Sequence, residues 1–238
     1  MDAIKTKVRQ YWDQRAEQFS SLRLREWDSE KHGLWLAEFQ KYMPGDGPLD
    51  ILDVGTGTGF FALLLAGRGH RVTGIDLSEN MICEARKTAA RLGLPASFSV
   101  MDAECPDFGA ASFDMVITRN LTWSLPNLQR AYCSWHGLLR PGGILLNFDA
   151  DYCREDTQQV LPENHAHKEI GAGLLKEYES IKGMLRPCQQ ARPAWDLELL
   201  KAAGFREVQI DTSVWQRIYH DIDAFYNPVP VFAISARA

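Results

Sequence analysis

The sequence predicts an α/β fold, a mostly parallel sheet with helices on both faces. Three observations predict it. The stretch Leu49-Asp-Ile-Leu-Asp-Val-Gly-Thr-Gly-Thr-Gly-Phe60 reads as a buried strand, a glycine turn and the start of a helix. From there strands and helices alternate for about a hundred residues, the pattern of a parallel sheet. Finally, 238 residues with 45% hydrophobic and 24% charged side chains suit one sizeable domain, or one with a small cap.

The elements follow in order. Ile4 to Phe19 reads as an amphipathic helix with Val8, Tyr11, Trp12 and Phe19 as its apolar contacts. Tyr11 and Trp12 are adjacent and cannot both face one core, so one is a candidate to face a ligand. A second helix spans Ser29 to Tyr42 and ends at Pro44-Gly-Asp-Gly-Pro48, which separates a helical cap, residues 1–44, from the sheet. The first strand, Asp50–Val54, leads into a helix from Phe60 to Ala66. The second, Arg71–Ile75, is followed by a helix N-capped by Ser78 and closed by Gly93. Strands at Ala96–Met101 and Phe113–Thr118 follow, then a helix from about Leu128 to Leu139. A tight turn, Leu139 to Gly143, opens the fifth strand, Ile144–Phe148.

The alternation then stops. Residues 45–150 form the core, and 151–193 read as a helical lid inserted after the fifth strand. Within it Pro162 to Met184 is helical, with breaks at Gly171 and Gly173. Residues 194–238 complete the sheet with a helix, Trp195–Ala203, and strands at Phe205–Ser213 and Val229–Ala236.

Several function classes drop out of the expectation. The net charge of −5 offers no footprint for nucleic acid. No run of about 18 apolar residues suggests a membrane span, and residues 1–10 lack the apolar core of a secretion signal. Five cysteines, at 83, 105, 133, 153 and 188, are scattered without a CxxC pair. They read as small buried hydrophobes, reduced in a cytoplasm, and no metal is expected.

The glycine turn is the place to look for chemistry. Its spacing, Gly55-x-Gly57-x-Gly59, departs from Gly-x-Gly-x-x-Gly, because Phe60 follows where a nicotinamide site wants glycine. Asp53 ends the strand two residues before the turn. A carboxylate there repels a pyrophosphate and suits an ammonium or sulfonium, which favours S-adenosylmethionine over a dinucleotide. Asp76, ending the second strand, suits ribose hydroxyls.

These residues resemble the class I S-adenosylmethionine-dependent methyltransferases, in particular the small-molecule group related to ubiquinone and menaquinone biosynthesis. The matching motifs run in order: Asp53-Val-Gly-Thr-Gly-Thr-Gly59, Gly74-Ile-Asp76-Leu-Ser, Met101-Asp-Ala-Glu104, Phe113-Asp114 and Leu138-Leu-Arg-Pro-Gly-Gly143, with Tyr11-Trp12-Asp13-x-x-Ala16 before them. The resemblance implies a Rossmann-like sheet of seven strands with the last antiparallel. It implies methyl transfer to N or O of a small molecule, with S-adenosylmethionine as donor and S-adenosylhomocysteine as product. By the same resemblance Gly55, Gly57 and Gly59 give the donor close access to backbone, Asp53 lies near its ammonium and Asp76 accepts from its ribose. Leu77 and Met81 pack on adenine, Asp102 and Ala103 bind its edge, Arg119 and Asn120 face the methionine end, and Tyr11 belongs to the same site.

Methyl transfer needs positioning more than side-chain chemistry, so acceptor residues are harder to read. Trp123 is either a substrate wall or a support under the lid. Asp149 and Asp151 follow the fifth strand, and either suits a general base or an ammonium partner. His165 and His167 read as surface residues of the lid. Arg192, between Pro187 and Trp195, is a candidate for a substrate carboxylate or an internal salt bridge. Two other readings stay open: a nicotinamide-dependent dehydrogenase, and a non-catalytic protein that binds S-adenosylmethionine.

Overall fold

The computed structural model describes residues 3–45, 47–153, 170–185 and 189–238. The sheet has seven strands in the order β3-β2-β1-β4-β5-β7-β6. Strands β1 (Asp50–Val54), β2 (Arg71–Asp76), β3 (Ala96–Val100), β4 (Phe113–Arg119) and β5 (Leu139–Ala150) are parallel, and β7 (Val231–Arg237) runs antiparallel between β5 and β6 (Arg206–Asp211). The expected fold class is therefore the observed one. Chain order reverses at β1, which lies between β2 and β4. In open α/β sheets a crevice forms at such a point beyond the strand carboxyl ends.

Helices cover both faces. On one face lie α1 (Ala3–Trp27), α2 (Lys31–Gln40), α3 (Phe60–Ala66), α4 (Glu79–Leu92) and α8 (Val214–Ile218). On the other lie α5 (Leu128–Leu138) and α7 (Ala194–Ala202), whose Tyr132, Trp135 and Leu200 pack on β1, β4 and β5. Every residue of α3 is buried, since α2 covers the side that faces away from the sheet. Trp35 and Phe39 of α2 sit edge-on to Phe61 at 4.9 and 4.8 Å, and Phe148 of β5 joins them at 5.2 and 5.6 Å. The second helix thus belongs to the main core, and of the cap only α1 extends over the sheet edge.

Local rules explain most boundaries. Ser78 caps α4 by accepting from the Met81 N–H, and Gly93 ends it in a left-handed conformation. Gly59 is left-handed at the start of α3, with φ of 87°, and a Cβ there would lie 3.0 Å from Phe98. The sequence misjudged two spans and missed two short elements. The first helix continues past Phe19 to Trp27. The fifth strand begins at Leu139, because Leu139 pairs with Phe113 before a register shift absorbs the Pro-Gly-Gly segment. The short helix α8 and a 3-10 turn at Thr122–Ser124 were not expected. Of the lid, α6 (Ala172–Met184) is described and packs on α1. The part of the expected lid helix before Ile170 lies outside the described residues.

Cysteines also depart from expectation. Cys83, Cys105 and Cys133 are free but exposed, not buried, because they sit on outward helix faces and a loop. Cys153 is disulfide-bonded rather than reduced, to a partner outside the described residues.

Trp35 is fully buried and its indole also donates to Glu26 at 3.3 Å. Trp35→Ala should lower stability by about 3–5 kcal/mol, as for other large aromatic deletions in cores. Urea unfolding followed by fluorescence measures it.

Candidate functional site

A cavity of about 490 Å3 opens beyond the carboxyl ends of β1, β2 and β4, roofed by α1 and α6. The glycine turn forms its floor. Gly55 and Gly57 line it, with φ of 67° and 55°, which only glycine adopts without strain. A Cβ at Gly57 would lie 3.5 Å from the Phe19 ring of α1, so the turn and α1 face one another across a narrow slot. Gly59 is not on the wall. Its expected role in contacting a ligand is corrected to a packing role against Phe98 and Ala85.

Two acids mark one end. Asp76 accepts from the N–H groups of Gly57 at 3.0 Å and Ser78 at 2.9 Å. Burial pushes its carboxyl up to about 6 in spite of these bonds. Asp53 accepts from Thr56 Oγ1 at 2.6 Å and the Ala62 N–H at 3.1 Å, both on Oδ2. Burial pushes it up to about 7, with the nearby Asp76 adding to the effect and Arg119 opposing it. A buried carboxyl, Asp53, and a half-buried one, Asp76, both held above their ordinary range, favour a ligand that brings hydrogen-bond donors and positive charge.

Leu77, Met81, Asp102 and Ala103 continue the wall where the sequence expects them. Asp102 is already engaged. Its Oδ1 accepts from the Glu104 N–H at 3.0 Å and its Oδ2 from Lys5 Nζ at 2.7 Å, while Lys5 also bridges to Glu104 at 2.6 Å. Lys5 thereby latches the start of α1 onto the loop after β3. Asn80 Nδ2 donates to the Asp13 carbonyl at 3.1 Å and ties α1 to the start of α4.

The other end is cationic and aromatic. Arg119 ends β4 and stacks over the Trp35 ring at 4.6 Å. Its Nη2 donates to Glu26 Oε1 at 2.8 Å and to the Tyr219 hydroxyl at 3.1 Å, while its Nε and Nη1 have no hydrogen-bond partner. Arg23 donates to the other oxygen of Glu26. Burial opposes the charge on Glu26, but Arg119 and Arg23 override it and hold the carboxyl down at about 2. Asn120 adopts φ of 55° just past β4, a conformation asparagine tolerates, and its Oδ1 accepts from the Tyr152 hydroxyl at 2.8 Å. Trp123 lies 5.4 Å from Tyr178 and 5.8 Å from Tyr152, and Tyr178 lies 5.6 Å from Tyr11. Both Tyr11 and Trp12 reach the cavity wall. Trp123 therefore lines the cavity and packs under α6 at once.

The expectation for the acids after β5 is corrected. Asp149 is fully buried and does not line the cavity. It accepts from Thr122 Oγ1, the Trp123 N–H at 2.9 Å, the Ala150 N–H at 2.8 Å and Arg192 Nη1 at 3.1 Å. These bonds fix the 3-10 turn that carries Trp123, so Asp149 holds the wall from behind. Asp151 is half-buried, accepts from the Arg192 N–H at 3.4 Å and is also absent from the wall. Arg192 does not reach an acceptor either. It spends its guanidinium on Asp149, Asp196 and Thr122, and these two carboxylates keep it charged against the cost of burial. His165 and His167 lie outside the described residues.

Sequence reasoning missed Arg15, Arg23, Tyr178 and Tyr219 on this wall, and Glu26 buried behind it. With the first helix ended at Phe19, Arg23 and Glu26 had no reason to enter a site. The spacing Arg15, Phe19, Arg23 repeats every four residues on one helix face, and that was the readable signal.

The fold is a Rossmann-like α/β sheet with a cavity at the switch point of its strand order. A methyltransferase domain family matches residues 51–143. The ubiquinone biosynthesis O-methyltransferase of Coxiella burnetii is 35% identical over 95 residues, 40% of this chain and 41% of that protein. Aklanonic acid methyltransferase DauC of Streptomyces sp. strain C5 is 39% identical over 116 residues, 47% and 52% of the two chains. These alignments thus span about half, or less, of the curated relatives. Among solved structures, phosphoethanolamine N-methyltransferase 2 of Haemonchus contortus superposes with a TM-score of 0.61 at 20% identity, over 85% of this chain and 51% of that one. A SAM dependent methyltransferase from Aquifex aeolicus gives 0.59 at 17% identity, over 92% and 97%. At such identities the likeness is one of fold. Residues 51–143 thus match a methyltransferase domain, and these relatives are methyltransferases by name, one of them S-adenosylmethionine-dependent.

Arg192→Met leaves Asp149 and Asp196 buried without their cation. It should lower stability by about 3–5 kcal/mol near neutral pH. Burial already raises the Asp149 carboxyl, and without Arg192 the largest influence opposing that rise is gone, so the folded state binds more protons and the deficit shrinks as pH falls. Urea unfolding at pH 5 and pH 8 measures the difference.

Proposed function

We propose that the protein transfers the methyl group of S-adenosylmethionine to an oxygen or nitrogen of a small molecule. The observation that carries this reading is the two-ended cavity, with acids at the glycine turn and an aromatic wall opposite. The residues present fit the donor. Asp76 accepts from the ribose hydroxyls, Leu77 and Met81 flank adenine, and Asp102 with the Ala103 backbone takes its amino edge. Asp53 faces the methionyl ammonium, and the unused Nε and Nη1 of Arg119 suit the methionyl carboxylate. A dinucleotide would instead set its pyrophosphate against Asp53 and Asp76.

When bound, the donor supplies a methyl group already activated by its sulfonium. The protein's part is to hold the acceptor atom in line at about 3–3.5 Å and to exclude water. Asn120, Trp123, Tyr152 and Tyr178 do this from the acceptor side. The names of the relatives, an O-methyltransferase and an enzyme of aklanonic acid, favour oxygen as the atom methylated. A small acceptor in a cytoplasmic setting is part of the same proposal, and the net charge of −5 argues against nucleic acid. No described helix is long and apolar enough to cross a membrane. Incubating a metabolite extract with isotopically labelled donor, then analysing products by mass spectrometry, tests the activity. Absence of any labelled product would leave only a binding function.

Asp76→Ala should weaken S-adenosylhomocysteine binding by about 1.5–3 kcal/mol, the worth of charge-assisted hydrogen bonds. Unchanged affinity by calorimetry would remove Asp76 from the site. Binding should also depend on pH. The ligand prefers ionised Asp53 and Asp76, whose carboxyls titrate near about 7 and about 6 in the free protein. Binding therefore releases protons, and affinity rises with pH through that window. Asp53→Asn should flatten the upper part of the curve. A flat wild-type profile between these values would contradict the assignment.

A further inference from the structure

Six cations line the cavity among the described residues, and five of them have a carboxylate. Lys5 pairs with Asp102 and Glu104, Arg23 and Arg119 share Glu26, Lys182 pairs with Glu179, and Arg9 lies 3.9 Å from Asp13. Arg15 is the exception. It is only 3% exposed, its one hydrogen bond among the described residues is a long one of 3.4 Å from Nη1 to the Tyr11 hydroxyl, and its buried Nε has no partner among them. A guanidinium held out of water without an anion costs several kcal/mol. That cost is recovered if a ligand brings the anion.

The position of Arg15 says which ligand. The donor's own carboxylate has Arg119 available, close enough to Asp53 to oppose its upward shift and carrying two unused N–H groups. Arg15 lies instead beside Tyr11, from which the aromatic wall runs through Tyr178 to Trp123 and Tyr152. This is the acceptor side. One unpaired guanidinium matches one negative charge, and its fork matches a carboxylate. A phosphate dianion would need a second free cation there, and the described wall offers none.

We propose that the methyl acceptor is a monoanionic carboxylic acid with a flat apolar body, its carboxylate held by Arg15 and its body against Trp123 and Tyr178. This rests on the methyltransferase reading and gives it a substrate class.

The test uses the full chain saturated with S-adenosylhomocysteine. Calorimetric titration with 4-hydroxybenzoate, its neutral amide 4-hydroxybenzamide, and phenyl phosphate reads the preference directly. The acid should bind about tenfold or more tightly than the amide, consistent with one charge-assisted pair, and better than the phosphate. In Arg15→Gln the acid and amide should bind alike, while affinity for S-adenosylhomocysteine stays within about twofold of wild type, which also reports that the variant is folded. Arg15→Lys should keep part of the preference, since it keeps the charge and loses the fork. The proposal is overturned if wild type binds the acid no better than the amide, including if it binds neither. It is overturned too if phenyl phosphate binds best. A loss of S-adenosylhomocysteine binding in Arg15→Gln, with the acid preference intact, would mean that Arg15 holds the donor's carboxylate. Failure of wild type to bind S-adenosylhomocysteine at all would sink the underlying reading as well.

Discussion

The carboxylate of Glu26 ties the N-terminal helix to the edge of the sheet, and the cavity depends on that tie. Glu26 is fully buried, near the end of α1, with Arg23 on one oxygen and Arg119 on the other. Trp35 adds an indole N–H from α2. A buried carboxylate survives only when its hydrogen-bonding capacity is filled, and here two guanidinium groups and an indole fill it. Because Arg119 is the last residue of β4, the ion pair fixes α1 above the carboxyl end of the sheet. Lys5 fixes the other end of the same helix to the loop after β3. A 25-residue helix held at both ends becomes a roof over the glycine turn.

A second buried network stiffens the wall from beneath. Arg192 gathers Asp149 from β5, Asp196 from α7 and Thr122 from the turn after β4. Tyr132 donates to Asp196 at 2.6 Å and Asn147 Nδ2 donates to Thr122 at 3.0 Å. Its groups come from β5, α5, α7, the turn after β4 and the segment before α7, so the network sets the position of Trp123 without touching the cavity. Charge this deep adds little net stability over a well-packed apolar core, and its effect is on geometry. The two networks share a logic: each uses arginine to join a strand end to a neighbouring helix, and each leaves an aromatic or cationic group facing the cavity.

Much of this was legible in the sequence, and the rest was not for physical reasons. The strands of the core announce themselves because a central parallel strand is buried on both faces and reads as an apolar run, as in Ile51-Leu-Asp-Val54. The donor end was legible because backbone geometry demands particular residues there: glycine at positive φ in the turn, and an acid at the end of β2. The acceptor end depends on contacts between residues far apart in the chain, such as Arg119 with Glu26 or Arg192 with Asp149. Sequence spacing carries no information about them. Asp149 shows the limit well. An acid after a strand, next to another acid, reads as a catalytic pair, and only the fold reveals that Arg192 has already claimed it. The boundary of α1 failed for a related reason. Its second half carries charges on the inner face, so apolar periodicity fades where the helix continues.

The two ends of the cavity differ in the sign of what they lack. At the glycine turn, Asp53 is a buried acid and Asp76 a half-buried one, neither paired with a cation among the described residues, and the missing partner is positive or donates hydrogen bonds. Under α1, Arg15 and the unused nitrogens of Arg119 are buried cations, and the missing partner is negative. Two ligands that dock side by side, one with its positive charge inward and the other with a carboxylate, would each satisfy one end. The opposition also orients them. In the proposed donor site, a zwitterionic methionyl group would bridge from Asp53 to Arg119, with its sulfonium directed toward the aromatic wall. A carboxylate on Arg15 would hold the acceptor's body against that same wall. The electrostatic layout thus does before the reaction much of what methyl transfer requires of its enzyme, bringing two partners together in one orientation.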